Sequence, residues 1–266
     1  MKVSLIITTY NWVEALRLSI LSAFRQTEHP WEIIIADDGS GAETSEAVRD
    51  LAGRAPMPLL HVWQSDRGFR AAKIRNKAIS EAKGEYVILI DGDMILHEDF
   101  VKDHMIMAKP GHFSQGSRVL LTREKTAEVL RTEQFDFSPF EPGLLNRKNA
   151  LRSQLFSKWF SRDKRELRGI RTCNFSFWRS DALAVNGFNE DFEGWGREDS
   201  EFAARLLNYG IRKQNIRFSA LAYHLFHAHR SLSALSANQR ILDETVRKKI
   251  SRCTNGMDKY LFKGKS

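Results

Sequence analysis

The first ninety residues contain four strongly apolar segments that alternate with segments of helical periodicity. The apolar segments are VSLIITT (3–9), WEIIIAD (31–37), LLHVWQ (59–64) and EYVILI (85–90). We predict helices after the first three, around 12–24, 43–52 and 70–83. Strands that are apolar on both faces and alternate with helices are typical of a mostly parallel sheet covered on both sides. The pattern therefore predicts an α/β fold.

The second half of the chain is less regular. We predict strands in RVLLT (118–122), TCNFSFW (172–178) and SALAYHLFH (219–227), and a polar loop with two prolines over 138–150. A basic amphipathic helix is predicted over 149–160 and a closing helix over 232–250. Because no stretch has the composition of a linker, we predict a single domain.

The charge balance favours an anionic partner. The 266 residues include 41 basic and 33 acidic side chains, for a net charge of +8. Nucleotide phosphates, nucleic acid and an acidic membrane surface all remain open on this ground. Two cysteines without metal-ligand spacing, Cys173 and Cys253, indicate a reducing compartment. The first residues read as a buried strand and no apolar run is long enough to span a membrane, so we expect a cytoplasmic protein whose membrane contact is peripheral.

Polar clusters follow three of the predicted strands. They are Thr8-Thr9-Tyr10-Asn11, Asp37-Asp38-Gly39-Ser40 and Asp91-Gly92-Asp93. In such sheets ligands bind beyond the carboxyl ends of the strands, so these clusters should converge. Two carboxylates around one glycine repel each other unless a cation lies between them, which favours a Mg or Mn site over a simple Asp-rich turn.

The segment FEGWGREDSEF (192–202) places Trp195 between two glycines, directly before an acidic helix start. Glu198 and Asp199 fall in the first turn of that helix, where acids also complement the helix dipole. The dipole does not explain Gly194 and Gly196, which free the backbone as a loop closing over a ligand requires.

Taken in order, these motifs resemble those of a known enzyme family. The set TTYNW, ADDGSG, DRGFRAAKIRN, DGD, NFSFWR and GFNEDFEGWGREDSEF is similar to the inverting family 2 glycosyltransferases of GT-A fold. The second half resembles the β-1,4-galactosyltransferases and the chondroitin-type polymerases. The resemblance covers 3–99 and about 170–230, whereas 112–168 matches nothing and is where such enzymes usually differ in acceptor.

The resemblance implies one GT-A domain with a Rossmann-like, mostly parallel sheet flanked by helices. Residues 1–99 form its nucleotide-binding half, 100–230 its metal and acceptor half, and 231–266 a helical extension.

For the nucleotide, the resemblance implies a set of contacts in the first half. Thr9 and Tyr10 line the nucleoside pocket, and Asp38 accepts from the uracil with Asp37 alongside. Asp91 holds the ribose. The arginines expected near the base or diphosphate are Arg67, Arg70 and Arg75, for which a solvated helix face is the alternative.

For metal and chemistry, the resemblance implies residues of both halves. Asp93 and His227 ligate Mn or Mg, with His224 as the second histidine, and Arg230 lies near the diphosphate. Trp195 packs against the sugars.

The resemblance also assigns the acids after Trp195. Glu198 hydrogen-bonds the acceptor and Asp199 is the general base. A helix N-terminus lowers the proton affinity of a carboxylate, so Asp199 needs burial or Glu198 to raise its pKa. Arg197 stands where the galactosyltransferases usually have a further glycine.

The implied activity is metal-dependent, inverting transfer of a hexose or N-acetylhexosamine, of the Gal, GalNAc, Glc or GlcNAc type, from a UDP-sugar to a glycan hydroxyl. Bacterial surface polysaccharide or lipopolysaccharide synthesis suits a small standalone enzyme, and the expected acceptor is a glycan or a lipid-linked glycan. The basic segment 147–168 then rests on the inner face of an acidic membrane.

Three other functions compete with this one. A nucleotidyltransferase needs a Gly-rich phosphate loop that TTYNWVEA lacks. A basic nucleic-acid-binding protein leaves the acidic clusters unexplained, so we expect no nucleic acid partner. A noncatalytic sugar-binding protein would tolerate the loss of Asp199.

Overall fold

A computed structural model describes residues 1–164, 166–228 and 233–261 of the chain. The strands of the larger sheet are β1 (Val3–Thr9), β2 (Glu32–Asp37), β3 (Leu59–Trp63), β4 (Tyr86–Asp91), β6 (His112–Gln115), β9 (Arg162–Lys164), β10 (Phe175–Trp178) and β11 (Arg212–Asn215). Those of the smaller sheet are β5 (Met94–Leu96), β7 (Val119–Leu121), β8 (Leu144–Leu145) and β12 (Ala222–His224). The orders are β3-β2-β1-β4-β10-β6-β11-β9 and β5-β12-β7-β8.

Ten α-helices are present in the described chain, the last two after the final strand. They are α1 (Val13–Phe24), α2 (Ala42–Ala52), α3 (Ala71–Glu81), α4 (Phe100–Met107), α5 (Arg123–Thr132), α6 (Gln154–Phe160), α7 (Arg179–Ala184), α8 (Glu198–Asn208), α9 (Leu235–Arg247) and α10 (Asp258–Leu261).

The first four strands are parallel and form the predicted sheet. β1 lies between β2 and β4, and β3 pairs with the outer side of β2. Alternate side chains of a strand point to opposite faces. Leu5, Ile7 and Ile35 pack on one face with α1, α2 and α4, whereas Ile6 and Ile34 pack on the other with α3, α7 and α8. Both faces are therefore buried, which explains why the strands are continuously apolar and confirms the α/β prediction.

The second half extends this sheet with mixed strand directions. β10 runs antiparallel to both β4 and β6, while β11 is parallel to β6 and antiparallel to β9. Asn174, fully buried just before β10, donates from Nδ2 to the carbonyls of Ser117 and Ala220 at 2.8 and 2.9 Å. These bonds hold the loops that lead into the smaller sheet against the end of the larger one.

The continuous helix predicted over 149–160 is wrong. Residues Arg147–Ala150 form a 3₁₀ turn and α6 begins only at Gln154, after its N-cap Ser153. Ser153 Oγ accepts from the Phe156 amide at 3.3 Å. Arg152 is held beside the capping residue by bonds of 2.9 and 2.7 Å to the Asp103 carboxylate. These long-range bonds interrupt the apparent helical period.

The predicted strand over 219–227 shortens to three residues in β12, and the closing helix begins at Leu235 rather than 232. Both cysteines are buried and free. Within the described ranges, no helix is both long and apolar enough to cross a membrane.

Candidate active site

The carboxyl ends of β1, β2 and β4 meet at one edge of the larger sheet. In the strand register Thr9 lies beside Asp37, and Thr8 lies beside Asp91. The Gly92 amide donates to the Thr8 carbonyl at 2.7 Å, and a Cβ on Gly92 would lie 3.1 Å from Thr9 Oγ1. The three polar clusters therefore converge, as a parallel sheet requires.

The turn after β2 is held by its own aspartates. Asp37 is fully buried; its Oδ1 accepts from the Ser40 amide at 2.8 Å, and its Oδ2 contacts His61 Nε2 at 2.9 Å. Burial alone would raise the pKa of Asp37, but the bonds from His61 and Ser40 outweigh it and hold the pKa below its usual range. Asp37 therefore shapes the turn as an ionised group.

Asp38 joins this turn to the start of α3. Its carboxylate accepts from Gln64 Nε2 at 2.6 Å and from the Arg70 amide at 2.7 Å. Burial raises the pKa of Asp38 despite these bonds. Both aspartates thus lie at the base of the cleft with protein donors already bound.

Around this turn the predicted nucleoside residues differ in exposure. Thr9 is buried, whereas Tyr10 is exposed and donates its hydroxyl to Asp66 at 2.8 Å. Arg70 donates from Nη2 to the Ser65 carbonyl. Arg67 is exposed, and no ion pair of its guanidinium is found among the described residues.

Arg75 connects the two sides of the cleft. It is 4% exposed, and its Nη1 lies 3.1 Å from Glu198 Oε1 while its Nη2 lies 3.5 Å from Asp91 Oδ1. Its Nε contacts Thr8 Oγ1 at 3.4 Å. Burial would lower the pKa of Arg75, but the charges of Glu198, Asp91 and Asp199 outweigh it and raise the pKa. This buried cation balances a cluster of acids instead of forming a solvated helix face.

Asp199 lies in the first turn of α8, directly after Glu198. Its Oδ1 accepts from the amide and hydroxyl of Ser200 at 2.6 and 3.2 Å. Burial, and then the charge of Glu198, raise the pKa of Asp199 to about 7, against the opposing effects of Arg75 and Ser200. Burial and Glu198 thus raise the pKa of Asp199, whereas its position at a helix N-terminus acts to lower it. A carboxylate with this pKa is matched to proton transfer near neutral pH.

The glycines of the Gly-Trp-Gly loop take left-handed conformations, with φ of 73° at Gly194 and 106° at Gly196. A Cβ on Gly194 would lie 2.5 Å from the Ala234 Cβ. Asn238 of α9 donates to the Gly196 carbonyl at 2.9 Å. The loop is therefore packed against the start of α9, and it leaves Trp195 41% exposed at the cleft.

Asp93, His224 and His227 form a cluster suited to a metal ion. Their potential ligand atoms all lie within 4.8 Å of one another. His224 Nε2 and His227 Nε2 approach Asp93 Oδ2 at 3.5 and 3.3 Å. The Leu225 amide donates to the Asp93 carbonyl at 3.0 Å, which ties the loop after β12 to the aspartate.

The state of the two imidazoles fits metal binding. Burial, and then the charge of Arg118, lower the pKa of His224 to about 3, so this ring is neutral at physiological pH. His227 Nδ1 donates to the Ala228 carbonyl at 2.8 Å, which leaves Nε2 directed toward Asp93. A carbonyl bond of this kind commonly orients a ligating histidine. Arg230 lies outside the described residues.

Arg118 was not singled out by the sequence. It lies in the segment without recognisable motifs, and its Nη1 contacts Cys173 Sγ at 3.3 Å. Burial raises the pKa of Cys173 to about 12, so the thiol is neutral. A single arginine before a short strand forms no sequence motif, so its contact with Cys173 could not be predicted.

Two family profiles match the chain. The profile of glycosyl transferase family 2 matches residues 4–163. The profile described as the N-terminal domain of galactosyltransferase matches 156–229. The two together include β1–β12 and the acidic start of α8.

Among curated proteins, the chain is 27% identical over 243 residues to chondroitin synthase of Escherichia coli, covering 83% of this chain and 34% of that protein. It is 26% identical over 237 residues to hyaluronan synthase of Pasteurella multocida, covering 83% of this chain and 24% of that protein. The chain therefore spans about a quarter to a third of the length of these relatives.

Solved structures share the fold. S. aureus TarS 1–349 in complex with UDP superposes with a TM-score of 0.61 at 18% identity, covering 91% of this chain and 64% of that chain. The mannosyltransferase PcManGT from Pyrobaculum calidifontis, in complex with GDP-Man and Mn²⁺, superposes with a TM-score of 0.60 at 19% identity. The match covers 98% of this chain and 68% of that chain. The fold is thus that of the GT-A glycosyltransferases.

Proposed function

Because this chain belongs to glycosyltransferase family 2, we propose that it transfers a hexose or N-acetylhexosamine from a UDP-sugar to a glycan hydroxyl, with inversion and with a divalent metal ion. Its place in the family makes it a glycosyltransferase rather than a nucleotidyltransferase. The observation that carries the finer proposal is the position of Arg75, which binds Asp91 on the nucleotide side and Glu198 on the other side of one cleft.

Asp199 acts as the general base in this proposal. Glu198 accepts a hydrogen bond from the acceptor hydroxyl, and the proton of that hydroxyl moves to the Asp199 carboxylate. The hydroxyl oxygen attacks the anomeric carbon while the bond from that carbon to the diphosphate oxygen breaks. UDP leaves with the electron pair, so one displacement inverts the anomeric centre. The raised pKa of Asp199 supports this role.

The carboxyl edge of the sheet holds the nucleotide. Thr9 and Tyr10 border the nucleoside, with Tyr10 already presented by its bond to Asp66. Asp37 and Asp38 form the base of that pocket, Asp38 facing the uracil, and Asp91 holds the ribose. The cations assigned to the base and diphosphate are Arg67, Arg70, Arg75 and Arg230.

Asp93, His224 and His227 would hold the metal, which would offset negative charge on the departing UDP. Imidazole nitrogen suits transition ions, whereas Mg²⁺ prefers oxygen ligands throughout. A set of one carboxylate and two imidazoles therefore favours Mn²⁺ over Mg²⁺.

Trp195 is proposed to pack against the donor and acceptor sugars. Its exposed ring lies on a loop whose neighbours, Glu198 and Asp199, contact the acceptor in this proposal. Arg197 adopts a left-handed φ of 76° at the N-cap of α8, the conformation for which the resembling enzymes use glycine.

The acceptor is proposed to be a growing or lipid-linked glycan of a bacterial surface polysaccharide or lipopolysaccharide. Chondroitin and hyaluronan synthases are relatives whose names describe polysaccharide synthesis. Helix α6 supports peripheral membrane contact at the cytoplasmic face, because Leu155, Trp159 and Phe160 are 58%, 69% and 45% exposed beside the basic Lys158. Exposed aromatic residues with basic neighbours suit the surface of an acidic membrane.

The proposal is tested by nucleotide release from a panel of UDP-, GDP- and TDP-sugars, with Mn²⁺ or with chelator. We expect Mn²⁺-dependent release from one UDP-sugar, faster when an acceptor is present. Calorimetric titration with UDP provides a second readout that needs no acceptor. Absence of both release and Mn²⁺-dependent UDP binding would refute the proposal.

A further inference from the structure

A cavity of about 540 Å³ lies between the two sheets, outside the predicted nucleotide site. Four arginines line it, and we call it the arginine pocket: Arg118, Arg168, Arg171 and Arg217. We infer that the arginine pocket binds an anionic group, a carboxylate or a phosphate, on the acceptor glycan. This inference rests on the proposed function, because it assigns the acceptor side of that same site.

The arginine pocket carries an excess of positive charge, which favours binding of an anion. Within the described ranges, Glu166 is the one acidic side chain that lines the cavity, and no ion pair joins a carboxylate to any of the four guanidiniums. Arg118 is half-buried, and its guanidinium contacts Cys173, a neutral thiol. Arg168, Arg171 and Arg217 are exposed at the rim. A half-buried cation such as Arg118 that lacks a counter-charge is stabilised by a bound anion.

The arginine pocket adjoins the metal cluster. Leu120, which lines the pocket, lies beside His224 in the register between β7 and β12. Arg118 directly precedes Val119, the first residue of that strand, β7. An anion in the pocket therefore lies next to the position of the reacting groups, yet among the described residues none of those assigned to UDP lines the cavity.

The position of Arg118 is built into the fold. Asn149 donates from Nδ2 to the Arg118 carbonyl at 2.9 Å, and Asn149 itself lines the pocket. Asn174, beneath it, holds the neighbouring Ser117 carbonyl at 2.8 Å. These bonds fix the backbone that presents the guanidinium.

The shape and chemistry of the pocket suit a sugar that carries an oxyanion. Its volume falls in the range of about 300–1,000 Å³ typical of small-ligand sites. Guanidinium groups bind planar carboxylates and phosphates through paired hydrogen bonds. Nine of the fifteen lining residues come from 112–168, the segment whose motifs match nothing and where such enzymes usually differ in acceptor, so the arginine pocket provides a basis for acceptor choice.

The experiment compares acceptors of equal length that are neutral, that carry a uronate carboxylate, or that carry a sugar phosphate. UDP release is measured for the native chain, Arg118→Gln, Arg171→Gln and the control Arg131→Gln, an exposed arginine on α5. For the native chain we expect a higher kcat/KM with one anionic acceptor, and which one it is distinguishes carboxylate from phosphate. Each pocket variant should lower the ratio of anionic to neutral kcat/KM about 10–100-fold, mainly through KM.

Two results would overturn the inference while leaving the proposed function intact. One is an unchanged ratio in both pocket variants. The other is a loss of affinity for UDP as large as the loss of kcat/KM for anionic acceptors. That result would assign the arginines to the donor diphosphate. Arg171 is exposed, so its variant should fold even if Arg118→Gln does not.

Binding is also measured directly, with glucuronate, glucose 1-phosphate and glucose as probes in ligand-observed NMR. A signal from one of the anions that Arg118→Gln removes and Arg131→Gln retains would support the arginine pocket even without turnover. Equal signals from all three probes would contradict it.

Discussion

At the scale of single residues, Asp199 combines a position at a helix N-terminus with a pKa of about 7. Motif context in the sequence predicted roles for this acid, its neighbour Glu198 and Asp93, and these roles stay predictions. It did not identify the bridge that Arg75 makes to Glu198, 123 residues away. That contact depends on how α3 and α8 pack on the same face of the sheet, and no local pattern records it.

The raised pKa of Asp199 makes the stability of the protein depend on pH. The folded state holds this proton more tightly than the unfolded chain, so the stabilisation is present below the ordinary pKa of about 4 and is lost as pH rises through about 7. Asp199→Asn removes this titration. We expect the free energy of unfolding of the variant, relative to the native chain, to increase by on the order of 1–3 kcal/mol from pH 5 to pH 8. Urea denaturation at both pH values measures it, and a constant difference would contradict the assigned pKa.

Arg75→Met tests the buried bridge. The substitution leaves the buried Glu198, and the partly exposed Asp91, without their cation, so we expect a loss of about 3–5 kcal/mol in unfolding free energy, mainly from Glu198. The matched control is Arg17→Met, which breaks an exposed pair with Glu133 whose side chains are 38% and 47% accessible, and should cost less than about 1 kcal/mol. Equal losses in the two variants would show that the Arg75 pairs are solvent-screened.

At the scale of elements, the four parallel strands lie within one residue of their predicted ends because core packing on both faces fixes β1, β2 and β4. The edge strand β3 exposes Leu60 and Trp63, and its pairing with β2 holds it in place. The helix predicted over 149–160 failed for the opposite reason. Ser153 and Arg152 bind groups that the periodicity does not include, and these bonds delay α6 to Gln154. The periodicity of apolar residues predicts elements that core packing stabilises. It does not predict elements whose ends are set by specific polar contacts.

The Gly-Trp-Gly loop and α9 should act as one unit. Gly194→Ala adds a methyl 2.5 Å from the Ala234 Cβ, in a left-handed conformation. Gly111→Ala is the matched control, because its φ of 70° is similar and a Cβ there meets nothing within 4 Å. We expect Gly194→Ala to lower unfolding free energy by about 1–3 kcal/mol more than the control, and to slow sugar transfer by displacing Trp195. Equal melting temperatures for the two variants would show that the start of α9 moves to accommodate the methyl group at no cost in stability.

At the scale of the whole molecule, the parallel sheet brings motifs ninety residues apart to one edge, and this part of the site followed from the sequence. The smaller sheet places His224 and His227 beside Asp93, which the resemblance implied and the strand pattern did not. The division into two halves and an extension stays a prediction. The arginine pocket was unforeseen, because it forms between the two sheets from residues that share no motif.

Membrane contact through α6 is a property of the assembled surface. Trp159→Ala should weaken binding to vesicles of phosphatidylglycerol and phosphatidylcholine about tenfold, since burial of a large apolar side chain contributes about 1.5–3 kcal/mol. Trp31→Ala removes a 48% exposed tryptophan at the start of β2, far along the strands from the carboxyl edge, and should leave binding unchanged. Vesicle co-sedimentation measures both, and equal retention by the two variants would exclude α6 as the contact.

The measurement that tests the central claim most directly is UDP release from the preferred UDP-sugar by the native chain, by Asp199→Asn and by Asp50→Asn, an exposed aspartate on α2. Calorimetry on the same samples shows whether UDP still binds. If Asp199 is the base, its variant loses about 100–10,000-fold in rate while it binds UDP with native affinity, and Asp50→Asn retains full activity. An Asp199→Asn enzyme that turns over at the native rate would contradict the account.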